Sequence, residues 1–137
     1  MKIIVDTCIW SHALRRGSAS EAAIVRELTE LIKEVRVQLI GPIRQELLSG
    51  VKLKKQFDEL KHYLSAYPDL PLNSQDFEKA AEFFNTCRKK GIQGSNTDFL
   101  ICAIAFYRGF EIFTTDKDFV NYQKYFPIKL YQLRKYE

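Results

Sequence analysis

SNTDFLICAIAFYRGFEIFTTDKDF, residues 95–119, decides the architecture. Asp98 is followed by eight uncharged residues, FLICAIAF, with Gly94-Ser95-Asn96 in front and Gly109 behind. Small polar residues before an apolar run start helices and a glycine after it stops them. The stretch therefore predicts a helix over 97–107, closed near Gly109, and apolar enough all round to be buried. Residues 111–113 (EIF) then predict a short strand that runs into Thr114-Thr115-Asp116, with a short helix beginning near 117–119. A buried helix joined by one glycine turn to a short hydrophobic strand is half of a layered α/β unit.

Working outward, residues 2–5 (KIIV) are a second such strand, apolar on both faces as in a buried parallel sheet, with Asp6 at its carboxyl end. Ser18 or Ser20 caps a helix to about Val35, with Glu21 placed for a capping box with Ser18. Residues 35–40 (VRVQLI) alternate like a strand. Gly41-Pro42 ends that strand and suits a helix start, with Ile43, Leu47 and Leu48 on its apolar side. Leu53, Phe57, Leu60 and Leu64 mark another helix, and Pro68 and Pro71 the next break. Asn73 or Ser74 opens a helix to about Lys90 with Phe77, Ala80, Ala81 and Phe84 inside and Gly91 as its stop. Residues 128–133 add an edge strand. No hairpin turn separates the strands. The expectation is one α/β domain over residues 1–137, with a mainly parallel sheet flanked by helices.

The chain has the length of one domain with its own core. Cys8, Cys87 and Cys102 are odd in number and widely spaced, which excludes a disulfide framework and a CxxC zinc site and points to a reducing cytoplasm. The apolar start meets Asp6 too soon for a secretory segment, and residues 99–107 are too short to span a bilayer, so no membrane role is expected. Net charge is a mild +4. Setting aside Asp6, Glu46, Asp98 and Asp116 leaves 21 basic against 13 acidic residues, a basic surface around an acidic hole that suits a polyanion.

Those four acids stand at telling stations. Asp6 and Asp116 follow strands, and ligands of open parallel sheets sit beyond strand carboxyl ends. Asp98 lies in the first turn of a buried helix, where the helix dipole favours a carboxylate but burial demands a partner. Glu46 falls about 60° from Ile43 and about 100° from Leu47 around its helix, bordering the buried face. Singly, each has an ordinary alternative: a cap for Asp6, a first-turn acid for Asp98, an Asx-turn for Asp116, and a surface pair with Arg44 or Lys52 for Glu46. Carboxylates without His or Cys suit hard cations, Mg²⁺ or Mn²⁺. His12 and His62 lack zinc-motif spacing and read as loop or surface residues, Trp10 and Tyr107 as core, and the tyrosine-rich tail from Tyr122 onward as a packing segment.

The segments IIVDTCIW, GPIRQELLSG, SNTDFLICAIAFYRG and IFTTDKDF, in this order and spacing, resemble the PIN domain, and more narrowly the VapC-like toxins of prokaryotic toxin–antitoxin pairs. The similarity covers nearly the whole chain, and the pairing of DFLICAIAF with TTDKDF is its most specific part. The resemblance implies that Asp6, Glu46, Asp98 and Asp116 bind metal and catalyse RNA phosphodiester hydrolysis to 5′-phosphate and 3′-hydroxyl ends, with Glu46 as ligand or general base. Thr7 and Thr115 match hydroxyls that support the acids, and Asp118 is an accessory acid or a helix cap. It also implies a homodimer and a small antitoxin over the active-site groove. RNA contacts are expected from Arg15, Arg16, Arg44, Lys52 and Lys117. Two other functions compete. One is a phosphatase with Asp6 as nucleophile, against which Cys8 stands where a second Asp is usual. The other is a PIN-like binding module without catalysis.

Overall fold

In the computed structural model, residues 1–14 and 22–136 are described; Arg15, Arg16, Ser18, Ser20 and Glu21 lie outside them. The order of elements is β1 (Ile3–Val5), α1 (Thr7–Leu14), α2 (Ala22–Lys33), β2 (Val37–Gln38), α3 (Gly41–Leu48), α4 (Lys54–Leu64), α5 (Ser74–Lys89), α6 (Asn96–Arg108), β3 (Glu111–Phe113), α7 (Asp118–Gln123) and β4 (Lys129–Leu130). The four strands form one parallel sheet in the order β2-β1-β3-β4. After β2 the chain crosses back over β1 to build β3. Strand order thus reverses between β1 and β3, and the carboxyl ends of those two strands flank the crevice where such sheets bind ligands.

Both central strands bury their apolar side chains, as their sequence requires: Ile3, Ile4 and Val5 are wholly inaccessible, and so is Ile112. Helix α6 supplies the other half of the core, burying Phe99 through Ala105 without a break. Ser95 caps its start by accepting the Asp98 N–H at 3.0 Å, and Gly109 ends it in the left-handed region at φ 68°. Helix α5 is closed by a full capping box between Asn73 and Asp76, and it packs along α6.

One helix escapes the sequence reading and three expectations need correction. Residues 7–14 form helix α1, which hydrophobic spacing did not reveal; its first turn is tied to the Asp6 carbonyl by the N–H groups of Ile9 and Trp10. Val35 belongs to neither helix nor strand. It sits in the left-handed region at φ 56°, where its N–H bonds Ile32 and that of Arg36 bonds Leu31, a Schellman closure made without glycine. Phe77 is 53% exposed, because α5 buries the face carrying Asp76, Ala80, Phe83 and Cys87 instead. Tyr107 is exposed beside Phe106, two residues past the buried part of α6. Trp10 is fully buried, and the tail packs: Arg134 and Tyr136 both bond Glu27 of α2. No helix among the described residues is long and apolar enough to cross a membrane.

Candidate active site

Asp6 is the first residue past β1, and its N–H continues the ladder by bonding the Phe113 carbonyl at 2.9 Å. This places it beside Thr114, the first residue past β3. The carboxylate is buried and held by three donors. Thr7 N–H reaches Oδ1 at 2.7 Å, the Thr114 hydroxyl reaches Oδ2 at 2.8 Å, and the Cys8 thiol lies 3.6 Å from Oδ2. The Thr114 hydroxyl also accepts the Asp116 N–H at 3.0 Å, so a single side chain fixes both Asp6 and the start of the Asp116 turn. The hydroxyl that reaches an acid is that of Thr114; Thr115 donates to Cys8 Sγ at 3.4 Å. Adjacent threonines are chemically identical in sequence, and only the fold tells them apart.

Asp98 is half-buried in the first turn of α6. Its Oδ2 accepts the hydroxyl of Tyr122, from α7, at 3.1 Å. Nothing in the spacing marked Tyr122 as more than a packing residue. Asp116 is exposed, and its Oδ1 accepts the Asp118 N–H at 2.9 Å, so an Asx-turn leads into α7. Asp118 is exposed at the first position of that helix. Glu46 is also exposed, and it joins the site through Thr7, whose hydroxyl donates to Oε2 at 2.6 Å. Its helix borders an open groove of about 950 Å³ that runs past Ser11, Leu14, Leu60 and Tyr63.

The charges interact as one group. Burial raises the Asp6 carboxyl above its ordinary value, and the charge of Asp116 raises it further, against the pull of Thr114, Thr7 and Cys8. Burial likewise raises Asp98, with the charge of Asp6 adding to the effect and the Tyr122 hydroxyl opposing it. Asp6, Asp98 and Asp116 thus share one electrostatic field, and Glu46 is bridged to it by Thr7. Among the described residues none of the four forms an ion pair with Lys or Arg. Nor do three or more acids, histidines or cysteines among those residues stand close enough together to enclose an ion. The donor chemistry, oxygen throughout with uncompensated negative charge, fits a hard divalent cation. The placement of the side chains is not that of a closed coordination shell.

Of the basic residues, Arg44 is spent within the fold. Its guanidinium bonds both oxygens of Asp69 at 3.1 Å, the Leu64 carbonyl at 3.1 Å, and the Tyr67 carbonyl. Lys52 and Lys117 are exposed, and Lys117 stands beside Asp116 and Asp118.

The PIN domain profile matches residues 3–125. Among solved structures, FitAcB from Neisseria gonorrhoeae superposes with a TM-score of 0.74 at 21% identity, over 95% of this chain and 96% of that one. VapBC2 from Rickettsia felis, bound to a DNA fragment from their promoter, gives 0.73 at 20% identity over 96% and 98%. VapBC-1 from nontypeable Haemophilus influenzae gives 0.71 at 17% identity over 98% and the whole of that chain. Identities this low speak for the fold alone. Comparison with curated proteins gives no match. A sheet with its acids at the β1–β3 switch point is what the profile spans from the first strand to α7, and on that span the chain belongs to the PIN domain family.

Proposed function

We propose that this chain is an endoribonuclease dependent on Mg²⁺ or Mn²⁺, and the toxin of a toxin–antitoxin pair. The observation that carries the reading is Asp6: a buried carboxylate, held by a donor on each oxygen, sensing the charge of Asp116 and lacking a counter-charge among the described residues. A buried charge is held without a cation only at a cost in free energy, which folding has no reason to retain unless a ligand repays it.

Asp6, Asp98 and Asp116 are the residues that would hold the ion, with Glu46 at the rim. A divalent cation bound there supplies charge stabilisation to a phosphodiester and lowers the pKa of the attacking water. The chain does the rest. Thr7 and Thr114 fix the Asp6 oxygens. Thr7 also aims Glu46, which would orient the water or take its proton. Lys52, Lys117, Arg15 and Arg16 would meet the RNA backbone, and Arg44 less so because its donors are engaged.

The toxin role rests on the resemblance to VapC-like toxins and on the VapBC names among the structural neighbours. The antitoxin segment would lie in the groove beside Glu46, where Leu14, Leu47, Leu60 and Tyr63 offer apolar contacts. A homodimer would use the apolar face of Phe77, Ala81 and Phe84 beside Leu100. The deciding experiment incubates a structured RNA pool with the purified chain and Mg²⁺ or Mn²⁺, beside Asp98→Asn. Metal-dependent fragments with 5′-phosphate ends, absent for the variant, are expected. Equal cleavage by both proteins, or cleavage that survives EDTA, would remove the reading.

A further inference from the structure

We infer that Tyr122 is a positioning residue for Asp98, and that Gly94 is present to let its hydroxyl reach the carboxylate; the inference rests on the metal-binding reading above. Tyr122 is wholly buried, and its ring is fixed between Phe99 at 5.0 Å and Phe119 at 5.2 Å between centroids. The hydroxyl emerges at the head of α6, 3.1 Å from Asp98 Oδ2 and 3.3 Å from the Gln93 carbonyl. A phenol has one proton to give, and the closer, charged acceptor takes it.

The loop before α6 is shaped around that hydroxyl. A Cβ at Gly94 would stand 2.3 Å from Tyr122 Oη and 2.8 Å from Phe99 Cζ, so any side chain there displaces the tyrosine. Gly94 has no positive φ to explain it; close approach does. Tyr122 holds Asp98 Oδ2 from the α7 side, Ser95 adds hydrogen bonds from the head of α6, and the charge of Asp6 acts on the same carboxylate. Because α7 follows directly from the Asp116 turn, the same hydroxyl ties the element bearing Asp98 to the one that follows Asp116. Groups that orient a ligating carboxylate raise its affinity for the ion by limiting the geometries it samples.

Tyr122→Phe keeps the ring and deletes one oxygen. The full chain and this variant are titrated with Mn²⁺, the free ion being followed by its electron paramagnetic resonance signal, and both are melted without metal. The expected result is a loss of Mn²⁺ affinity of about tenfold or more, with a metal-free melting temperature within about 4 °C of the parent. Cleavage should return toward the parent rate as Mn²⁺ is raised, which a packing defect would not allow. Gly94→Ala should also weaken binding in the parent background, because its Cβ would push both Tyr122 and Phe99 away from their places. Unchanged affinity in Tyr122→Phe overturns the inference. So does a melting temperature that collapses together with affinity, which would make the tyrosine merely structural. If the parent itself binds no Mn²⁺, the proposed function fails first and the inference with it.

Discussion

Glu27 and Asp76 are buried even more completely than Asp6, yet the fold treats the two kinds of acid in opposite ways. Asp76 receives a two-pronged guanidinium from Arg108, at 2.7 and 3.0 Å, and closes its helix cap with the Asn73 N–H at 3.0 Å. Glu27 receives the Arg134 backbone N–H at 2.8 Å, its guanidinium at 2.7 and 3.1 Å, and the Tyr136 hydroxyl at 2.6 Å. The Arg108 bond to Asp76 outweighs burial; at Glu27 burial is the largest single influence, but the bonds from Arg134 and Tyr136 together overcome it. Both carboxyls end below their ordinary values. Asp6 and Asp98 are given hydroxyls, a thiol and backbone N–H groups but no guanidinium, and both end above. Twenty-one basic residues were available. The difference separates acids that the fold neutralises from within, from acids to which it gives no counter-charge among the described residues, as the proposed metal site requires.

The sharpest way to break that contrast is to remove a charge from each class. Asp6→Asn should lower metal-dependent RNA cleavage about a thousandfold, ~4 kcal/mol of transition-state stabilisation, without lowering the metal-free melting temperature. Cleavage at the parent rate would place Asp6 with the structural acids. Arg108→Met should do the reverse. It strands Asp76 in the core and should cost about 2–3 kcal/mol of stability by urea melt, toward the low end for a buried pair because the Arg108 side chain keeps 21% of its surface in water. The variant's cleavage rate at a temperature where it is folded should match the parent's. A smaller effect sharpens the comparison further. Mg²⁺ at ten times its dissociation constant should stabilise the parent by about 1.4 kcal/mol, and should leave the melting temperature of Asp6→Asn unmoved. Equal stabilisation of both would mean that the ion binds elsewhere.

The sequence discloses the two classes unevenly. The acids of the site are legible because each stands at a boundary that the chain announces: Asp6 and Asp116 past β-rich runs, Asp98 between a Ser cap and an apolar helix. The helices and strands around them follow from the same punctuation. Helix α1 does not, since TCIWSHAL is rich in β-branched and aromatic residues and its start is set by Asp6 itself, already read as a strand end. The partners are illegible for a different reason. Asp6 and Thr114 are 108 positions apart, Asp98 and Tyr122 are 24, Asp76 and Arg108 are 32, and Glu27 and Arg134 are 107. Side-chain pairing over such separations is a product of topology, and no local pattern encodes it. Arg44 shows the hazard. It is expected to meet RNA as one of the basic residues around the pocket, and the fold engages its donors in holding the segment after α4.

The smallest predicted effect discriminates best, because the two classes give it opposite signs. A carboxyl lowered by folding binds its proton less tightly in the native state. The stability it brings is present above the unfolded value and is lost as pH falls through the native one, which is the behaviour set by Glu27 and Asp76. A carboxyl raised by folding does the opposite. Its contribution is greatest below the ordinary aspartate value of 3.8 and declines as pH rises through the elevated native value, as for Asp6 and Asp98. Asparagine at position 6 removes the titration with little loss of bonding. Its amide oxygen can accept the Thr7 N–H, and its NH₂ can donate to Thr114 Oγ1, whose proton is then free for Cys8 Sγ at 3.5 Å. In metal-free melts across the acid range, Asp6→Asn and the parent should differ least at the lowest pH. A gap in favour of the variant should then open as pH climbs above 3.8 and level off once Asp6 is ionised in the parent. A gap that closes with rising pH would mean that Asp6 is stabilised as an anion by the fold alone, and the site would have no need of a cation.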